Sequence, residues 1–194
     1  MSSITKKVCE WLLLNKIIEE DDIPLYEFGL TQLFFYIIEY GALTLMAIML
    51  GIFKFYTLFL ISILSLRKNA GGIHSESHVI CFIITNIIFF FVLEIIKVSA
   101  KFMMIKYLVI PLLFGIIVLI VLSPIETPNK PISRCEFIVF RRRVMTSLSV
   151  HIILLIFFFI RSWILCATTL MLSIILASVL VILGKIKLLC RDTV

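Results

Sequence analysis

Long apolar runs dominate this sequence and decide which solvent it folds in. Of its 194 residues, 62% are hydrophobic and 15% are charged, whereas soluble domains carry about 25% charged residues. A helix needs roughly 20 apolar residues to cross a bilayer. The pattern predicts an all-α, polytopic membrane protein with about six transmembrane helices, near residues 31–53, 54–67, 79–98, 104–123, 144–160 and 162–184. The second segment is short, and the last two are split only by Arg161-Ser162, which indicates a tight helical hairpin.

The first residues follow a different pattern from the rest of the chain. Within 3–20, apolar side chains such as Val8, Trp11 and Leu12 share one helical face, and most of the charged side chains lie elsewhere. Such a helix is too charged to span a bilayer, so we expect it on the membrane surface. A helix packed against the rest of the protein would show the same pattern. The acidic run at 19–22 and Pro24 then interrupt the periodicity, which divides the chain into an amphipathic helix and linker (1–24) and a transmembrane helical domain (25–194).

The basic residues flank the apolar runs. The formal net charge of +6 is therefore better explained by membrane topology than by nucleic acid, and no nucleic-acid partner is predicted. With a cytoplasmic N-terminus and six crossings, 13 of the 18 Lys and Arg residues fall inside; the five outside are Lys54, Lys97, Lys101, Lys106 and Arg161. This asymmetry favours a plasma-membrane protein with both termini in the cytoplasm. No cleavable signal peptide is expected, and five irregularly spaced cysteines predict no disulfide framework.

One stretch between two apolar runs concentrates reactive groups: RKNAGGIHSESHVIC, residues 67–81, placed by this topology at the cytoplasmic face. Asn69 and the pair Gly71-Gly72 predict a helix stop with a sharp turn, because glycine adopts positive φ freely. Ser75 is a plausible N-cap for the next helix. On one continuous helix, His74 and Cys81 would lie about 10.5 Å apart along the axis, too far for a hydrogen bond.

A turn at the glycines could fold His74 back toward Cys81. A thiol needs an adjacent base to act as a nucleophile, and backbone N–H groups exposed at the turn could stabilise an oxyanion. Three alternatives remain open. Cys81 could be a small core residue, His78 could be its partner one helical turn away, or His74, His78 and Cys81 could bind a metal ion.

The stretch is similar to the signature of the AgrB family, the accessory gene regulator membrane peptidases of Gram-positive quorum sensing. Members resemble this chain in an arginine, two glycines, a histidine and a cysteine seven residues later, here at Arg67, Gly71, Gly72, His74 and Cys81. A second stretch, SPIETPNKPIS at 123–133, resembles the family's proline-rich loop with a Lys-Pro pair. Length, apolar content and the amphipathic start are also similar, so the resemblance covers nearly the whole chain.

The resemblance implies a cysteine endopeptidase that cuts a short membrane-associated propeptide, AgrD, on its C-terminal side. Cys81 would be the nucleophile and His74 the general base. A Cys or Ser of the substrate would resolve the acyl-enzyme thioester, giving a cyclic thiolactone or lactone, and water would be kept out of the site. The family resemblance also implies a homodimer. No cofactor is implied by the residues, and no metal site is assigned.

Basic residues in another part of the chain have two interpretations. Lys130, Arg134 and the run Arg141–Arg143 belong to a segment, 124–143, that we expect to be a loop. They could set topology and contact anionic lipid, or they could cradle an acidic tail of the propeptide, with Arg67 and Lys68 doing the same beside the turn. The alternative function is a non-enzymatic exporter or sensor subunit in which His74 and Cys81 are structural.

Overall fold

The computed structural model describes residues 3–72, 78–99, 105–125 and 133–192. Within these residues the chain is 90% helical, with seven α-helices and no strand. A short 3-10 turn at Glu20–Asp22 precedes α2. The helices are α1 (Ser3–Leu14), α2 (Ile23–Met49), α3 (Phe53–Ala70), α4 (His78–Ser99), α5 (Ile105–Leu122), α6 (Arg134–Ile160) and α7 (Ile164–Asp192). The predicted all-α, polytopic membrane fold is confirmed.

Five of the described helices, α2, α4, α5, α6 and α7, are long and apolar enough to cross a membrane. The predicted segment at 54–67 corresponds to α3, which has 18 residues and carries Lys54, Arg67 and Lys68. At 1.5 Å per residue α3 is about 27 Å long, close to the thickness of the hydrocarbon core. Its charges keep it out of the group of five, so a sixth crossing stays a prediction.

The chain divides into two compact units, the first ending at Met46 and the second beginning at Ala47. In the first unit, α1 ends at Leu14, earlier than the helix predicted over 3–20. The side-chain amide of Asn15 donates a hydrogen bond to the Trp11 carbonyl at 2.8 Å, and Lys16 has a φ of 55°. This local closure of the last turn was not visible in the apolar pattern.

Thr5 and Cys9, one turn apart on α1, are both buried, whereas Trp11 and Leu14 are exposed. The helix therefore has a packed side and an exposed apolar side. Its position on a membrane surface stays a prediction.

In the second unit, α7 is the central helix. It packs against α3, α4, α5 and α6, and a continuous run of its residues, from Ala167 to Ile174, is buried. Many of these side chains are small, including Ala167, Thr168 and Ser173. Small residues allow helices to approach closely in a membrane, where apolar burial alone does not drive helix association.

Two contacts show how close that approach is. A Cβ atom on Gly115 of α5 would lie 2.9 Å from the Ser178 Oγ of α7, so a side chain at this position would require Ser178 to move. The hydroxyls of Ser62 in α3 and Ser173 in α7 are 2.7 Å apart and hydrogen-bonded inside the core. These contacts fix α7 against its neighbours.

The predicted hairpin between the last two helices is confirmed. Helix α6 ends at Ile160 and α7 begins at Ile164. The Arg161 N–H donates to the Phe157 carbonyl at 3.0 Å, and Ser162 turns the chain with a φ of 56°.

Candidate active site

The turn that follows α3 begins at the predicted helix stop. Gly71 caps the helix with a φ of 79°, and its N–H donates to the Arg67 carbonyl at 3.2 Å. Gly72 follows with a φ of 146°. Both values lie in regions that favour glycine, so the prediction of a sharp turn at the two glycines is confirmed.

This turn is held from two sides. The Ile125 N–H, just after α5, donates to the Ala70 carbonyl at 3.0 Å, and a Cβ on Gly71 would lie 2.7 Å from the Ile125 carbonyl oxygen. On the other side, a Cβ on Gly72 would lie 3.4 Å from the Leu180 carbonyl oxygen of α7. The end of α5 and the side of α7 thus fix where the chain leaves α3.

Cys81 lies three residues into α4 as described, and its side chain is half-buried. His74 and Ser75 lie outside the described residues, so the predicted pairing of His74 with Cys81 and the Ser75 N-cap stay predictions. The same holds for the metal alternative, which includes His74. Among the described residues, no group of three His, Cys, Asp or Glu side chains could hold a metal ion.

The arginine run does not lie in a loop, and that prediction is wrong. Arg134 and Arg141–Arg143 belong to the first ten residues of α6. The helix starts early because Ser133 and Glu136 form a capping box: the Ser133 Oγ accepts from the Glu136 N–H at 3.3 Å, and the Glu136 carboxylate accepts from the Ser133 N–H at 2.9 Å. Lys130 lies outside the described residues.

The structure brings several of the predicted basic residues together. A cleft of about 440 Å³ lies between the last turn of α3 and the basic end of α6. Lys68, Arg142 and Arg143 line it with Ser65, Asn69, Thr146 and Ser147. Arg141 does not line the cleft. Its guanidinium donates instead to the carbonyls of Ile120 and Ser123 at the end of α5, at 3.2 and 3.4 Å.

A buried histidine contacts two of the serines that line this cleft. His151 of α6 is 5% exposed, and its Nδ1 is 2.7 Å from the Ser147 carbonyl. Its Nε2 is 3.5 Å from the Ser65 Oγ of α3, and the Ser147 hydroxyl donates to that same oxygen at 3.4 Å. These contacts link α6 to α3 at Ser65, about one helical turn before Lys68 in α3.

Comparison with protein families decides what kind of chain this is. The accessory gene regulator B (AgrB) family model matches residues 5–184. The chain belongs to the AgrB family. Comparison with curated proteins and with solved structures gives no match.

As a member of the AgrB family, the chain has an accessory gene regulator role in quorum sensing, and the family links it to the AgrD propeptide. Its five candidate spanning helices agree with a membrane protein. The family resemblance read from the sequence at 67–81 and 123–133 is confirmed.

Sequence reasoning missed His151. The sequence did contain a signal, a histidine inside the apolar segment 144–160, because an ionisable side chain in such a segment usually faces a bundle interior or a cavity. The serines that contact His151 come partly from α3, far away in the sequence, so the cluster itself could not be read from local spacing.

Proposed function

We propose that this AgrB family member is a membrane-embedded cysteine endopeptidase that cleaves a quorum-sensing propeptide on its C-terminal side. The observation that carries the proposal is the fixed turn at Gly71 and Gly72, followed nine residues after Gly72 by a half-buried cysteine on α4. The turn supplies a rigid exit from α3 immediately before His74. A nucleophile and its base need this kind of fixed framework.

In the proposed reaction, His74 removes the thiol proton of Cys81 and the sulfur attacks the scissile carbonyl carbon. The tetrahedral intermediate collapses, His74 returns the proton to the leaving amine, and the C-terminal fragment departs. The peptide stays on Cys81 as a thioester. A thiol or hydroxyl of the same peptide then attacks this thioester, which closes a thiolactone or lactone ring and regenerates the Cys81 thiol.

Exchange of one thioester for another is close to balanced in energy, so the ring forms only if water is kept from competing. A site embedded at the membrane face supplies that exclusion. The substrate thereby sets the product: a cysteine gives the thiolactone and a serine gives the lactone.

The site belongs on the cytoplasmic side of the plasma membrane in this proposal, with both termini inside. The contacts of Ile125 and Arg141 gather the end of α3, the end of α5 and the start of α6 at one end of the bundle. Arg67, Lys68, Arg134 and Arg141–Arg143 share that end. This grouping supports the orientation, because cytoplasmic ends of membrane helices carry the excess of Lys and Arg.

The cleft between α3 and α6 is the proposed contact site for the acidic tail of the propeptide. Three cations, from Lys68, Arg142 and Arg143, surround a volume that also presents hydroxyl and amide groups. Carboxylates are bound well by such a combination of charge and hydrogen-bond donors. Lys130 and Arg67 are further candidates for the same contact. The competing occupant is the headgroup of an anionic lipid.

A cleavage assay in reconstituted vesicles tests the peptidase proposal. The protein and a propeptide with an amphipathic start, a central Cys or Ser and an acidic end are combined, and products are followed by mass. We expect Cys81→Ala and His74→Ala each to abolish cleavage, while Cys135→Ala, at an exposed cysteine of α6, keeps it.

Three outcomes would contradict the assignments. Cleavage that persists in Cys81→Ala would exclude Cys81 as the nucleophile. No cleavage by the native protein would leave a non-enzymatic membrane role, such as an exporter or sensor subunit. Cleavage lost in His78→Ala but kept in His74→Ala would transfer the base to His78. A homodimer, which is also part of the proposal, is checked by cross-linking in the same vesicles.

A further inference from the structure

We infer that Arg141 is a positioning residue for the reaction, and that it acts through the end of α5 on the turn that leads to His74. The inference rests on the proposed function. It separates Arg141 from its neighbours Arg142 and Arg143, which line the cleft. The three arginines look equivalent in the sequence, but Arg141 contacts the end of α5 whereas Arg142 and Arg143 line the cleft.

Arg141 caps the C-terminal end of α5. A helix ends with carbonyl groups that have no partner within the helix, and basic side chains stabilise such ends by hydrogen bonds and by charge. Arg141 uses two guanidinium nitrogens for this purpose, one to the Ile120 carbonyl at 3.2 Å and the other to the Ser123 carbonyl at 3.4 Å. A planar guanidinium can reach both carbonyls at once, whereas a lysine ammonium is a single point of charge.

The segment that follows α5 packs against the turn at the end of α3. Ser123 and Ile125 are buried, and the Ile125 N–H donates to the Ala70 carbonyl at 3.0 Å. The Ile125 carbonyl oxygen occupies the space that a side chain at Gly71 would need. The segment 123–125 is therefore packed against the exit of α3 with no spare room, and a shift of this segment moves the turn.

The turn comes shortly before the proposed general base in the sequence. Gly72 is two residues before His74 in the sequence. A misplacement of about 1 Å in a group that orients a reaction can lower its rate about 100-fold. Arg141 consequently contributes to the orientation of the base without touching the substrate.

The test compares Arg141→Ala with Arg142→Ala, an adjacent variant with the same loss of charge. Both are assayed for kcat and KM on a propeptide with its acidic tail and on one whose tail carboxylates are neutralised. Arg141→Ala is expected to lower kcat about 10- to 100-fold on both substrates with little change in KM. Arg142→Ala is expected to raise KM on the acidic substrate only.

Rescue by the conservative variant gives a second activity readout. Arg141→Lys keeps the charge but can satisfy only one of the two carbonyls, so its kcat is expected to fall between those of the native protein and Arg141→Ala. If Arg141→Ala instead raises KM on the acidic substrate alone, Arg141 binds the tail and the inference is overturned.

A structural readout keeps this inference separable from the peptidase proposal. Amide hydrogen exchange of the full-length protein in lipid nanodiscs reports on the N–H groups of Ser123 and Ile125, which donate to the Leu119 and Ala70 carbonyls. Arg141→Ala is expected to speed their exchange about 10-fold or more, with Arg142→Ala unchanged and the buried run of α7 unchanged in both.

The two failures look different. Unchanged exchange at Ser123 and Ile125 in Arg141→Ala would overturn the positioning role even if Cys81 proves to be the nucleophile. Persistent cleavage by Cys81→Ala would remove the proposed function. Faster exchange in Arg141→Ala would then still show that Arg141 holds the end of α5 against the turn, but its role in catalysis would be overturned.

Discussion

Two glycines with nearly the same φ lie where helices end in this protein, and their surroundings differ completely. Gly51, in the connection from α2 to α3, has a φ of 72°, and a Cβ built on it would meet nothing within 4 Å. Gly71, at the end of α3, has a φ of 79°, and its Cβ would lie 2.7 Å from a backbone oxygen. The first glycine makes a turn in open space, and the second makes one that the rest of the fold holds in place.

The two turns differ in their packing rather than in φ. Positive φ favours a glycine at both positions, so φ by itself does not distinguish a connecting turn from the turn that precedes the candidate site. Only at the turn of Gly71 and Gly72 does the outgoing chain pack against other segments, the end of α5 at Gly71 and α7 at Gly72. In the sequence, His74 and then Cys81 follow this turn. A rigid exit is useful only where a group further along the chain has to be placed accurately.

Gly71→Ala is expected to give the largest effect on folding. The new methyl group cannot fit beside the Ile125 carbonyl, and the backbone oxygen cannot move aside without disturbing the end of α5. Together with the cost of positive φ for alanine, we expect a loss of about 3 kcal/mol or more. Thermal unfolding in detergent micelles, followed by helical circular dichroism, measures it. A variant as stable as the native protein would remove the distinction between the two turns.

His151→Ala is expected to give the second largest loss of stability, because His151 of α6 contacts Ser65 of α3. The substitution leaves a cavity and removes the contacts to Ser65 and to the Ser147 carbonyl, which costs roughly 2 kcal/mol. The matched control is Thr146→Ala, an exposed position on the same helix whose hydroxyl donates to the Arg142 carbonyl. That change should cost under about 0.5 kcal/mol. Equal losses in the two variants would mean that His151 does not tie the helices together.

Gly51→Ala is expected to give a smaller effect than Gly71→Ala or His151→Ala. The substituted residue pays for positive φ, about 1 kcal/mol, but no atom blocks its side chain. Propeptide cleavage should stay near the native rate, since this turn does not lead to the site. If cleavage by Gly51→Ala fell as far as cleavage by Gly71→Ala in protein that remains folded, the contrast drawn between the two turns would be wrong.

Much of the fold was readable because apolar runs and helix stops are local signals. The apolar segments gave the helices, the two glycines gave the end of α3, and Arg161-Ser162 gave the α6–α7 hairpin. The start of α6 was misplaced because the prediction followed hydrophobicity. A membrane helix can extend beyond its apolar part, and the pattern of Ser133 with Glu136 was the available signal.

The candidate site was only partly readable, because its contacts join distant parts of the chain. Lys68 and Arg142 meet at one cleft only through the packing of α3 against α6. Nothing in the run of three arginines indicates that Arg141 turns toward α5 while its neighbours line the cleft. His151 stood alone in an apolar segment, and its serine partners became visible only in three dimensions.

The proposed reaction requires Cys81 to carry the N-terminal part of the propeptide as a thioester after cleavage. The most direct measurement is mass analysis of the protein trapped early in the reaction, with the modified residue located by digestion at low pH. The account predicts an adduct whose mass equals that of the N-terminal cleavage fragment less one water, found on the peptide that contains Cys81. Rapid cleavage with no adduct on Cys81, or an adduct on another cysteine such as Cys166, would contradict it.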